Sequence, residues 1–66
     1  SFLSNKQLHA MGFNNIGKEV LVSDKASLYN PSVISIGDYS RIYEFCIISA
    51  SGGSVKIGRH VHVAAY

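Results

Sequence analysis

The stretch Ile36-Gly37-Asp38-Tyr39-Ser40-Arg41-Ile42-Tyr43-Glu44-Phe45-Cys46-Ile47-Ile48 decides the fold. Ile36, Ile42 and Ile48 recur every six positions, and the residues four places after the first two, Ser40 and Cys46, are small. A helical stripe of period 3.6 does not place aliphatics at this interval. A hairpin sheet would alternate and turn on Asn-Gly or Asp-Gly, and neither dipeptide occurs in the sequence.

The period continues on both sides. Upstream it runs through Ile16, Val22 and Leu28, and downstream through Ile57 and Val63. Small or slim residues follow four places later at Val20, Ala26, Ser32, Gly52 and Val61. The dipeptide Ile-Gly opens each series, at Ile16-Gly17, Ile36-Gly37 and Ile57-Gly58. The steps between these dipeptides are 20 and 21 residues, three hexads plus two or three. The extra residues are assigned to Ile34-Ser35 and Ser54-Val55-Lys56, between levels. Repetition of this kind predicts an all-β, single-stranded parallel β-helix over residues 16–66, each hexad one short strand plus a turn and three hexads one triangular level. Stacked levels pile Ile16, Ile36 and Ile57 into one inward ladder and Val22, Ile42 and Val63 into another, at strand spacings of about 4.8 Å. The count gives about two and a half coils, the last stopping at Tyr66.

Residues 1–15 read differently, as a capping segment. Ser4-Asn5-Lys6-Gln7 has the form of a capping box, Leu3 and Leu8 have staple spacing, and Gly12 suits the left-handed residue that ends a helix. A helix over 5–11 follows, too short to stand alone. It is expected to cover one end of the repeat with Leu8, Met11 and Phe13.

Composition bounds the rest. The chain has 66 residues, enough for one small domain that needs help to be stable. One cysteine forbids an internal disulfide, and no Cys/His spacing suggests a structural zinc, so stability is expected from neighbouring copies or more coils. A hydrophobic fraction of 47% argues against disorder, while no apolar run reaches membrane-span length. The six basic residues are scattered, so no nucleic-acid partner is expected. No leader reads at the start, and the expected compartment is the cytoplasm.

The pattern of aliphatic, glycine, two free positions, small and free resembles the hexapeptide-repeat acyltransferases across about residues 13–66. The segments Tyr29-Asn30-Pro31, Ile36-Gly37-Asp38, Arg41-Ile42 and Phe45-Cys46-Ile47-Ile48-Ser49 are similar to the opening coils of bacterial sugar acetyltransferases in that superfamily. The resemblance implies a left-handed β-helix. It implies acyl transfer from acetyl-CoA, without a metal, to a hydroxyl or amine of a sugar or nucleotide sugar, in surface-polysaccharide synthesis. It also implies a homotrimer with active sites on outer faces where subunits meet. Family members are longer, so the chain is expected to be the N-terminal part of such an enzyme and inactive alone. A non-catalytic β-helix that only associates is the alternative.

Family members use a histidine as general base. His9 lies on the short helix and is expected to be solvated. His60 and His62 flank the inward Val61, so both should point outward. His62, on the strand, is the better candidate base, although the family's base usually lies further along the chain. The pair lacks a third ligand for a metal. Cys46 is expected to be a compact core filler rather than a nucleophile. Asp38 and Glu44 fall at outward turn positions, and Ser51-Gly52-Gly53-Ser54 lacks the Lys of a phosphate loop. Lys56 and Arg59 could attract coenzyme A phosphates. Tyr29, Tyr39, Tyr43 and Phe45 are expected to form an outer apolar patch, best explained by a subunit interface.

Overall fold

A computed structural model describes residues 1–50 and 52–65. One helix precedes eight short strands: α1 (Asn5–Ala10), β1 (Asn15–Ile16), β2 (Leu21–Val22), β3 (Ser27–Tyr29), β4 (Ile34–Ile36), β5 (Arg41–Ile42), β6 (Ile47–Ser49), β7 (Val55–Ile57) and β8 (His62–Val63). Pairing is parallel throughout, in the orders β1-β4-β7, β2-β5-β8 and β3-β6. The strands therefore form the three faces of a left-handed parallel β-helix. The ladders have the expected register: Ile16 pairs with Ile36 and Ile36 with Ile57, Val22 with Ile42 and Ile42 with Val63, Leu28 with Ile48.

The core is a single column. Val22, Ile34, Ile36, Ile42, Cys46 and Ile48 are buried in it, and Leu8 of α1 closes one end with help from Leu3 and Phe13. The capping box forms as read: Gln7 N–H donates to Ser4 Oγ (3.1 Å), and Ser4 N–H donates to Gln7 Oε1 (2.8 Å). The helix ends at Ala10, one residue short of expectation, and Gly12 at φ 81° turns the chain toward β1. The segment before the helix adds contacts not read from sequence. Phe2 bridges antiparallel to Ser23, Leu3 N–H donates to Val22 O, and the Ser1 ammonium lies 3.4 Å from Asp24 Oδ1. Partial loss of water raises the Asp24 pKa, hydrogen bonds from Ser1 lower it, and the balance lies below the ordinary value.

Two assignments are corrected. Ser32 and Gly52, expected to point inward, are exposed. Ile34-Ser35 and Ser54-Val55-Lys56 are not loops: all but Ser54 lie in β4 and β7, and Ile34 is wholly buried. The extra residues sit earlier, in the corner that holds a 3₁₀ turn at Pro31–Val33 and, one level on, in residues 52–54. A longer corner shifts the phase, so the inward place passes from the residue four after the aliphatic to Ile34 and, in register with it, Val55.

The corners are held by bonds between levels. Glu19, Tyr39 and His60 occupy one corner position on successive levels, and each has a positive φ, between 53° and 62°. This conformation costs an L-residue about 1 kcal/mol. It aims the amide at the neighbouring level: Tyr39 N–H donates to Lys18 O (2.8 Å) and His60 N–H to Asp38 O (2.9 Å). Phe45, at φ 63°, donates likewise to Lys25 O (3.2 Å). Asp38 adds a side-chain tie, its Oδ1 accepting from Lys18 N–H at 2.8 Å.

Ser40 is fully buried at the same corner, donating to Gly58 O (2.6 Å) and accepting from Val61 N–H (3.1 Å). Ser40→Ala should strand both groups and destabilise by about 2 kcal/mol. In a domain this small that corresponds to a Tm about 10 °C lower by thermal circular dichroism. An unchanged Tm would show that the hydroxyl is dispensable.

Candidate functional site

The outer face of β2-β5-β8 carries the histidine expected to do chemistry. Residues one place before the inward ladder point outward, and the register stacks Leu21, Arg41 and His62 in a column. His62 is exposed, as is His60 at the neighbouring corner. The His62 ring meets Tyr43 edge-on at 6.0 Å, and the half-buried Tyr43 also has the Phe2 ring 6.3 Å away. His60 stacks flat on Tyr39, with centroids 5.1 Å apart and planes 10° apart. The two histidines thus lean on different tyrosines. Among the described residues, neither has a carboxylate hydrogen-bonded to its ring to fix a tautomer. An exposed imidazole can accept a proton near neutral pH, but fixing its direction takes a further group.

The other candidates resolve differently. His9 is exposed at the end of α1. Cys46 is buried and directs its thiol to Val63 O at 3.3 Å, in keeping with a core filler. Among the described residues, no group of three His, Cys, Asp or Glu could hold a metal, and no helix is long and apolar enough to cross a membrane. Ser51 lies outside the described residues, so the Ser51–Ser54 segment is placed only at Gly52, Gly53 and Ser54, all exposed.

Of the four aromatics expected outside, Tyr29, Tyr39 and Phe45 are exposed and Tyr43 is half-buried; Ile47 is also exposed, at 71%. Three features escaped the sequence reading. Ile47 sits one place before the inward Ile48, the outward slot that Ser27 fills a level earlier, and the hexad count alone could have shown this. Arg41 beside His62 was legible from the same offset, whereas Phe2 was not, because its bridge to Ser23 is antiparallel and outside the repeat.

The chain is 44% identical over 66 residues to a dTDP-4-amino-4,6-dideoxy-D-glucose acyltransferase of Escherichia coli, matching all of this chain and 34% of that protein. Among solved structures it resembles AntD, an N-acyltransferase from Bacillus cereus, in complex with dTDP and 3-hydroxybutyryl-CoA. That match has a TM-score of 0.91 and 55% identity, over 100% of this chain and 34% of that one. The S84C mutant of AntD, in complex with dTDP-4-amino-4,6-dideoxyglucose and coenzyme A, matches with a TM-score of 0.90, again at 55% identity and the same coverage. No family model matches the chain. The chain spans about a third of the length of the relatives it matches. By sequence and by fold, the chain is similar to that third of these acyltransferases.

Proposed function

We propose that the chain forms part of an N-acyltransferase that moves an acyl group from a coenzyme A thioester to the amino group of a dTDP-linked amino sugar. The observation that carries this is identity of 44–55% along the whole chain to proteins that act on, or are bound to, those two kinds of molecule. In the transfer, the amine nitrogen attacks the thioester carbonyl carbon and the C–S bond breaks. The thiolate leaves and takes up a proton, and a base removes the proton lost by the nitrogen. His62 is the candidate base within these residues, supported by its exposure on the outer face next to Tyr43. The donor is an acyl-CoA, of which acetyl-CoA is one member. A homotrimer fits the exposed Tyr29, Phe45 and Ile47, which another copy would cover. Its product would be an N-acylated sugar nucleotide for surface polysaccharide, made in the cytoplasm where coenzyme A thioesters are held.

Since the chain spans a third of its relatives, it is expected to give no turnover alone. The test is a chimera in which it replaces the matched residues of the Bacillus cereus protein, assayed by thiol release from 3-hydroxybutyryl-CoA with dTDP-4-amino-4,6-dideoxyglucose. Activity within about tenfold of the parent is expected, given TM-scores near 0.9. A folded chimera that releases no thiol would sink the proposal. In the active chimera, His62→Ala should lower kcat by about a hundredfold if this imidazole takes the proton. An unchanged rate would put the base elsewhere.

A further inference from the structure

A groove of about 490 Å³ runs along the outer face of β1-β4-β7, on a different face from His62. Its walls come from three successive levels, and its polar lining is Asn14, Asn15, Ser32, Ser35, Ser54 and Lys56. The register explains the alignment: Asn15 pairs with Ser35 and Ser35 with Lys56, so an amide, a hydroxyl and an ammonium stand in one outward column. Asn14 Nδ2 donates to Ser35 Oγ at 2.9 Å, which leaves the Ser35 hydroxyl proton for another acceptor. Among the described residues no carboxylate pairs with Lys56, and no carboxylate or aromatic ring lines the groove. The lining therefore suits neither a metal cation nor a stacked base. It offers hydrogen-bond donors, one of them charged, to an oxyanion.

We infer that this groove binds the diphosphate of a nucleotide, with Lys56 as the charged contact and Ser35 and Asn15 donating beside it. Adjacent rungs of a parallel sheet stand about 4.8 Å apart, so Ser35 and Lys56 can each address one phosphoryl group of a diphosphate. The inference adds a phosphate contact to the proposed enzyme and rests on that reading for its two sources, since dTDP and coenzyme A both carry a diphosphate.

Binding can be read without turnover. Pyrophosphate, dTDP and coenzyme A are each titrated into the ¹⁵N-labelled chain while backbone amide signals are followed. Shifts at Asn15, Ser35 and Lys56 with pyrophosphate are expected. A lower midpoint for dTDP would assign the groove to the acceptor, and one for coenzyme A to the donor. Lys56→Met should weaken the binding by about tenfold, the loss of one charge-assisted bond. Lys25→Met, at another corner, should change it less than about twofold. Both lysines are exposed, and retained signal dispersion checks that each variant is folded. Absence of groove shifts with all three probes at millimolar concentration would overturn the inference, as would equal weakening by the two lysine variants. A groove that binds pyrophosphate beside a chimera that releases no thiol would keep this inference and reject the enzyme; the reverse pair would do the opposite.

Discussion

Gly37→Ala is expected to cost about 3 kcal/mol or more, close to the whole stability of so small a domain. The cause is not glycine's freedom, since its φ is not in the left-handed region. The next level passes too close: a Cβ on Gly37 would lie 2.7 Å from both the carbonyl carbon and the oxygen of Gly58, and 2.9 Å from Arg59 N. These are backbone atoms held by level-to-level bonds, Gly37 N–H donating to Ile57 O at 2.7 Å, so they cannot swing aside as a side-chain tip can. Gly17 has the same collision with the backbone and carboxylate of Asp38. Gly58 is the internal control, because its Cβ would meet nothing nearer than Val61 Cγ2 at 3.9 Å. Gly58→Ala should be neutral or stabilising by up to about 1 kcal/mol, through the narrower unfolded chain. Urea titration of the pair is decisive. If Gly37→Ala and Gly58→Ala unfold at the same concentration, the close approach of the levels is not what demands the glycine.

Ile36→Ala should cost about 4 kcal/mol, toward the upper end for removing a buried aliphatic. Ile36 is wholly buried and sits in the middle rung, with Ile16 on one side and Ile57 on the other. Bonded backbone on both sides prevents collapse into the gap, so the cavity term adds to the lost transfer term. Ile57→Ala, in the same ladder but half-buried, should cost roughly half as much. Equal losses at the two sites would mean that rung position does not govern packing.

Ladder contents were legible because a β-helix repeats one environment. Every aliphatic at the head of a hexad stands in its expected register, and the capping box at Ser4 and Gln7 formed as its residues indicated. What failed was phase. Counting four from Leu28 and Ile48 lands on Ser32 and Gly52, but extra corner residues move the inward place to Ile34 and Val55. Ile34-Ser35-Ile36 and Val55-Lys56-Ile57 do carry the alternation of a strand, which was the available signal. The left-handed conformations at Glu19, Tyr39 and Phe45 had no such signal, since none is Gly, Asn, Asp or His. They follow from bonds to a neighbouring level that a local reading cannot see. The candidate site was legible only in part for the same reason. Outward placement of His62 follows from alternation, but its contact with Tyr43 depends on stacking between levels, and that with Phe2 on a bridge outside the repeat.

The uniform register has a kinetic meaning. Each ladder joins residues 20 or 21 apart, from Asn15 with Ser35 to Arg41 with His62, so every new level closes a loop of nearly the same length. The entropic toll of closure is then nearly constant from level to level. The first closure meets it with no template, while the next docks on an edge already formed, so whichever two levels pair first set the slow event. Growth by addition to an existing edge is nearest-neighbour cooperativity along one axis. The middle level, which belongs to both interfaces, is therefore where a substitution slows formation of the coil as well as hastening its loss.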